Sequence, residues 1–166
     1  MKKILKSILA IFGINNNGNS IVKEELSIGL ENSINLTFKN FEQNNHTFLI
    51  DIAKDNVVVI QLVHGLLIPL SLGKSIHDVD KSEREFNFSM NLTFDNEEKE
   101  LTKFKNLNCF GKFDFYQLQD GISCYSINFG RDRQQIKEVT LDIIQNVYGY
   151  QLNDSFEFQI YDQGRF

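Results

Sequence analysis

The chain contains no tryptophan, one proline and two cysteines among its 166 residues. Two cysteines are too few for a disulfide scaffold, so the fold must be held by a hydrophobic core. Fifteen phenylalanines predict that this core is built largely from phenyl rings. Hydrophobic residues make up 42% and charged residues 23%, close to globular averages, which excludes wholesale disorder. The length fits one domain.

The sequence also lacks any long basic run, and its formal net charge is −5. Because nucleic-acid binding needs a positive surface, we expect no nucleic-acid partner. No segment is long and apolar enough to span a bilayer. The local signatures of nucleophile elbows, phosphate-binding loops, dinucleotide-binding loops and zinc proteases are all missing. We therefore predict no catalytic residue, no metal ligand and no cofactor.

The clearest structural pattern is a β-hairpin whose turn is Gln119-Asp120-Gly121, between two runs rich in Phe, Tyr and Ile. A three-residue loop pairs apolar with apolar side chains, placing Tyr116 opposite Cys124 and Phe115 opposite Tyr125. A two-residue loop would instead pair apolar with polar residues. Both faces of the hairpin then carry large apolar groups. This predicts a central hairpin that is covered on both sides.

A helix over residues 132–148 follows, with Asp132 as its N-cap, Gln135 three residues later and Gly149 just past its end. Its apolar stripe recurs at helical spacing and contains Ile136, Val139, Ile143 and Val147. Alternation in residues 156–160 then predicts a half-buried strand. This order of hairpin, helix and strand indicates an α+β domain with a helix packed on one face of a mainly antiparallel sheet.

Further strands are predicted by alternation at Ile34–Phe38, Thr47–Ala53 and Val57–Val63, which short turns join into a meander. Residues 21–30 are ambiguous between strand and short helix, and 95–105 favour a short exposed helix. The strictest alternation lies in Phe86–Phe94, which predicts a strand. If this strand is an exposed edge it can pair across a homodimer, and the sequence leaves that alternative open. We expect about six to eight strands in total.

Residues 1–14 predict a short amphipathic helix, residues 15–20 an Asn-rich linker and residues 21–166 a single α+β domain. Lys6 interrupts the apolar run that a secretory signal needs, and no small-residue cleavage site follows. Docking of this helix on its own domain or on a partner is therefore favoured, and binding to a membrane surface through residues 1–12 is the alternative. With two reduced thiols expected at Cys109 and Cys124, we predict a cytoplasmic protein.

The segment Gly65–Gly73 is apolar, but its proline would interrupt a central strand. It is either a loop lying over the core, an edge strand or an exposed interaction surface. The third alternative gives the candidate partner-binding residues Leu66, Leu67, Ile68, Leu70 and Leu72.

Other chemically active side chains are better explained by structure. The two cysteines lie in Phe- and Tyr-rich segments, as buried thiols do, and His64 ends an apolar strand, as a core or rim histidine would. Imidazole and carboxylate groups cluster at His77, Asp78, Asp80, Glu83 and Glu85. Their spacing lacks the ordered pattern of a calcium loop, and zinc sites recruit more His or Cys, so a solvated connection is favoured over a metal site.

These features predict a non-enzymatic protein-binding domain with an unidentified protein partner. Its layout is similar to that of type III secretion chaperone-like α+β domains, and its size and charge are similar to those of toxin-neutralising immunity proteins, although no motif is shared with either. The resemblance implies a protein that sequesters or escorts its partner. The alternative is a small-ligand-binding protein or enzyme whose site combines scattered residues such as His64, His77 and Asp80.

Overall fold

A computed structural model describes residues 21–94, 97–117 and 121–165 of the chain. In this part of the chain there are seven strands and five α-helices, together with two short 3₁₀ turns. In chain order the elements are β1 (Val22–Glu25), α1 (Leu26–Phe41), β2 (Thr47–Lys54), β3 (Val57–His64), α2 (Leu67–Ser71), α3 (Lys81–Arg84), β4 (Phe88–Thr93), α4 (Glu98–Lys105), β5 (Asp114–Gln117), β6 (Ser123–Gly130), α5 (Arg133–Asn146) and β7 (Ser155–Gly164).

The seven strands form one sheet in the order β1-β7-β2-β3-β4-β6-β5. Every neighbouring pair is antiparallel. The α+β class and the antiparallel sheet are therefore confirmed. The last strand, β7, lies between β1 and β2, so the sheet joins the beginning of the described chain to its end.

One face of the sheet, which we call the helical face, carries α1, α4 and α5. Phenyl rings fill this interface as the composition indicates, and Phe48 packs against Phe88 with the ring planes tilted by 48° and the centroids 4.5 Å apart. Phe38 of α1 packs on the same pair of strands, with its centroid 5.2 Å from that of Phe88. Ile136 and Ile143 of α5 are fully buried in the same core. One hydrophobic core thus joins α1, α4 and α5 to the helical face of the sheet.

The strand predicted at Ile34–Phe38 is wrong, because these residues belong to α1. Leu26, Leu30 and Ile34 are buried at a spacing of four residues, which is the repeat of one helix face. Leu36, which the alternating pattern would place beside Ile34, is instead 44% exposed on the opposite side of the helix. The predicted meander is therefore reduced to the hairpin of β2 and β3.

The predicted hairpin register is confirmed, since Tyr116 pairs with Cys124 and Phe115 with Tyr125. Its central position is wrong, because β5 is the outermost strand and Phe115 is 59% exposed. Phe86–Phe94 does not offer the open edge that strand pairing across a dimer needs, since β4 lies between β3 and β6.

The predicted C-terminal helix begins as expected, with the backbone N–H of Gln135 donating to the Asp132 carboxylate at 2.9 Å. The helix is shorter than the predicted range of residues 132–148. It spans 14 residues, Arg133–Asn146. Gly149 follows in the left-handed conformation with φ of 82°, which a glycine adopts without strain. The predicted helix at 1–14 and linker at 15–20 lie outside the described residues.

Gly29 of α1 marks the closest approach of a helix to the sheet. A Cβ atom built at this position would lie 2.1 Å from a ring carbon of Phe158 on β7. Gly29→Ala should therefore lower the free energy of unfolding by about 1–2 kcal/mol, because overpacking exceeds the gain in helix propensity. Denaturant unfolding measures the change.

Asn40→Ala, at an exposed position on the same helix, is the matched control and should leave the stability almost unchanged. Equal stabilities for the two variants would contradict this packing of α1 on β7.

Candidate functional site

A concave surface of the described chain lies between α1 and the sheet edge formed by β1 and β7. This apolar groove, hereafter the edge groove, has a volume of about 380 Å³. Its lining comes from three elements and consists of Val22, Glu24, Asn32, Ser33, Leu36, Phe158 and Ile160.

The walls of the edge groove expose apolar side chains that the sheet and helix leave uncovered. Val22 on β1 is 45% exposed and Leu36 on α1 is 44% exposed. Ile28, two helical turns before Leu36 and on the same stripe of α1, is 52% exposed. Phe158 and Ile160 on β7 are buried and form the floor. The groove therefore exposes the apolar side chains of Val22 and Leu36 on its walls, and the polar residues Glu24, Asn32 and Ser33 complete its lining.

One side of the edge groove carries a hydrogen-bonded pair of polar side chains. The amide nitrogen of the Asn32 side chain donates to the Glu24 carboxylate at 3.0 Å. This bond connects α1 to β1 directly after the chain turns from strand to helix. Glu24 thus holds a carboxylate beside the apolar surface, which favours a ligand that carries positive charge next to apolar groups.

The edge groove also adjoins an incomplete strand ladder. β1 pairs with β7 only over Ser155–Phe158. On that side, no other described strand pairs with the remainder of β7, from Gln159 to Gly164. Unpaired strand edges are templates for the addition of an extended segment. Backbone hydrogen bonds and an apolar groove are therefore available side by side.

The candidate residues of Gly65–Gly73 are divided by the structure. Leu66 and Leu67 are buried, and Leu67 packs with Leu49, Val63 and Tyr161 on the face of the sheet opposite the helical face. Ile68 and Leu70 are half-buried, and only Leu72 is exposed. Most of this apolar segment thus forms α2 and covers the sheet. This arrangement is close to the alternative of a loop lying over the core.

The scattered histidines do not meet in one cavity. His64 is fully buried between the rings of Phe48 and Phe86, and its Nδ1 accepts a hydrogen bond from the backbone N–H of Leu66 at 3.2 Å. Burial lowers the pKa of His64 to about 4. His77 is exposed in a 3₁₀ turn. Neither histidine lines the edge groove.

Among residues 21–94, 97–117 and 121–165, no three or more His, Cys, Asp or Glu side chains lie close enough together to hold a metal ion. Cys109 and Cys124 are both buried and form no disulfide, as the hairpin register indicates. The Cys109 thiol lies 3.7 Å from the Asp142 carboxylate. Burial, followed by that carboxylate, raises the pKa of this thiol and keeps it protonated.

A polar row crosses the face of the sheet opposite the helical face. Strand pairing aligns one residue from each of six adjacent strands, namely Gln159, Asp51, Gln61, Asn91, Ser126 and Asp114. Within this row the Gln61 side-chain amide donates to Asp51 at 2.7 Å, and Tyr116 donates its hydroxyl proton to Asn91. Burial raises the pKa of Asp51 to about 6, while hydrogen bonds from Gln61 and Tyr161 oppose that rise.

Comparisons with protein-family models, with curated proteins and with solved structures found no match to this chain. Among the described residues, no helix is long and apolar enough to cross a membrane. Function must therefore be argued from the geometry of this molecule.

Sequence reasoning missed the edge groove because its residues come from distant parts of the chain. Val22, Leu36 and Ile160 meet only when β7 enters the sheet beside β1. The available signal was the set of apolar residues on α1 outside its buried stripe, Ile28 and Leu36. Assigning residues 34–38 to a strand concealed it.

Asp51 predicts a specific pH dependence of stability. Its carboxyl ordinarily titrates near 3.8 but has a pKa of about 6 in the folded chain, so the native state binds the additional proton between these values. The contribution of the Asp51 carboxyl to the free energy of unfolding is therefore fully present below its unfolded pKa of 3.8. It is lost as the pH rises through the folded pKa of about 6. Asp51→Asn cannot ionise, and its stability relative to the unsubstituted protein should rise by about 1–2 kcal/mol from about pH 4 to about pH 8.

Urea unfolding at the two pH values measures this difference. Asp114→Asn, on the exposed edge strand β5, is the matched control and should follow the unsubstituted protein at both. A constant difference between Asp51→Asn and the unsubstituted protein would show that this carboxyl is not held in a desolvating environment.

Proposed function

We propose that this chain is a non-enzymatic protein-binding domain that receives an apolar segment of its partner in the edge groove. The observation that carries the proposal is the coincidence of exposed Val22 and Leu36 with the unpaired part of β7. Surfaces of this kind recognise extended peptides by strand addition, in which the backbone supplies affinity and side-chain pockets supply specificity.

The chemistry of the edge groove limits the kind of partner that fits. Its apolar walls favour segments with large aliphatic or aromatic side chains. Glu24 favours lysine or arginine next to those side chains, because an opposite charge at the rim improves orientation and association rate. A partner with an apolar, basic segment fits both features. Chaperone-like or immunity-like sequestration of such a segment is the activity that we propose.

The surface around Leu72 is the second site to test, since the apolar segment 65–73 motivated the partner-binding prediction. Leu72 is 39% exposed, close to the exposure of Leu36 in the edge groove. The two leucines lie on opposite sides of the sheet, because α1 covers the helical face and α2 the other. Equivalent substitutions at these positions therefore distinguish the two surfaces.

The experiment is selection of peptides from a random library on the immobilised full-length chain, followed by affinity measurement by titration. We expect the selected peptides to alternate apolar residues, to carry lysine or arginine and to bind the unsubstituted protein. Leu36→Glu should weaken this binding by about tenfold or more, a loss of about 1.4 kcal/mol, because a carboxylate would be buried in the apolar wall. Circular dichroism verifies that the fold is retained.

Leu72→Glu is the matched control and should leave the affinity unchanged. Binding that is lost in Leu72→Glu and kept in Leu36→Glu would move the partner surface to α2 and overturn the assignment to the edge groove. Failure to select any peptide whose binding depends on Leu36 would also contradict the proposal.

A further inference from the structure

The edge groove has an occupant of matching chemistry within the same chain. We infer that the amphipathic segment Ile4–Phe12 docks in the edge groove and competes there with external partners. This inference rests on the proposed function for the role of the groove, and it adds the identity of the segment that occupies the groove when no partner is bound.

The composition of residues 1–20 is complementary to the edge groove. The segment carries large apolar side chains at helical spacing, namely Ile4, Leu5, Ile8, Leu9 and Phe12. It also carries Lys2, Lys3 and Lys6 and contains no acidic residue, whereas the whole chain has a net charge of −5. The apolar side chains match Val22 and Leu36 of the edge groove, and the lysines match the Glu24 carboxylate.

The connection between segment and groove is short. The first described residue is Ile21, and the next residue, Val22, lines the groove. Residues 13–20 separate Phe12 from Ile21 and contain Gly, Asn and Ser but no proline. A connection of this length reaches at most about 30 Å when fully extended. The segment can therefore reach the edge groove, whose lining begins at Val22.

The length of the segment also agrees with the separation of the two exposed apolar residues of α1. The exposed stripe of α1 from Ile28 to Leu36 covers eight helical rises, or about 12 Å. As a helix, Ile4–Phe12 has the same eight rises and the same length of about 12 Å. The segment can therefore cover the exposed leucine and isoleucine of α1 along their whole separation.

Tethering makes even a weak contact effective. A short connection raises the local concentration of the segment to the order of millimolar, so a millimolar intrinsic affinity already fills about half of the grooves. An external partner must then displace the segment, and its apparent affinity falls by the fraction of molecules whose groove is open. The segment thereby sets a threshold for partner binding.

The absence of tryptophan from the chain gives a direct test. Phe12→Trp introduces a single tryptophan into the full-length protein. Docking predicts that its fluorescence emission lies at short wavelength and resists quenching by acrylamide. Adding Leu36→Glu should shift the emission to longer wavelength and restore quenching, while adding Leu72→Glu should change neither. Ile28→Glu changes the other exposed apolar position of α1, one turn before Asn32 of the groove lining, and should act like Leu36→Glu.

The remaining outcomes overturn the inference in distinguishable ways. If the tryptophan is exposed in all variants and peptide binding still depends on Leu36, docking is refuted but the proposed function is not. Protected tryptophan that is insensitive to Leu36→Glu and Ile28→Glu would place the segment elsewhere. Protection that disappears on dilution would assign the contact to a second copy of the chain. Protection that appears only with anionic phospholipid vesicles would assign the segment to a membrane surface.

The same variants link docking to partner competition. Ile8→Asp combined with Phe12→Asp should open the groove and raise the affinity of the selected peptides, because the competing segment no longer binds. Unchanged peptide affinity in this variant would refute the competition. No peptide binding in this variant would refute the proposed function instead.

Discussion

The entry of β7 between β1 and β2 is the constraint on which the rest of the molecule depends. β7 is the last element of the described chain, yet its Phe156, Phe158 and Ile160 belong to the central core. The start of α1 is held by the same region, since the backbone N–H of Leu26 donates to the carbonyl of Asp154 at 2.9 Å. Sheet pairing, helix packing and the start of α1 therefore all depend on contacts between the first and last elements of the described chain.

This long-range dependence explains which elements could be predicted from the sequence. The α5 N-cap, the β2–β3 hairpin and the β5–β6 register follow from local chemistry, such as the Asp132 carboxylate on the Gln135 amide. The start of α1 has no such signal, because its N-cap Glu25 makes no side-chain capping bond. Its first amides are satisfied by distant carbonyls, which no window of the sequence contains.

The candidate site was still less accessible to sequence reasoning. An apolar run can be identified in a sequence, but whether it faces a partner or its own sheet depends on tertiary packing. Gly65–Gly73 is the example, since Leu67 covers Val63 on the sheet and only Leu72 is exposed. Leu36 is the converse, an apolar residue between Asn35 and Thr37 that becomes part of a groove only beside Val22 and Ile160.

Edge protection gives an independent reason to expect an occupant at the edge groove. The two outermost strands, β1 and β5, are four residues each and carry charged side chains, features that discourage unwanted pairing. β7 is ten residues long, and β1 protects only its first part. An apolar groove beside the other part would invite aggregation if it stayed open. The docking that we propose for Ile4–Phe12 would protect this part of β7.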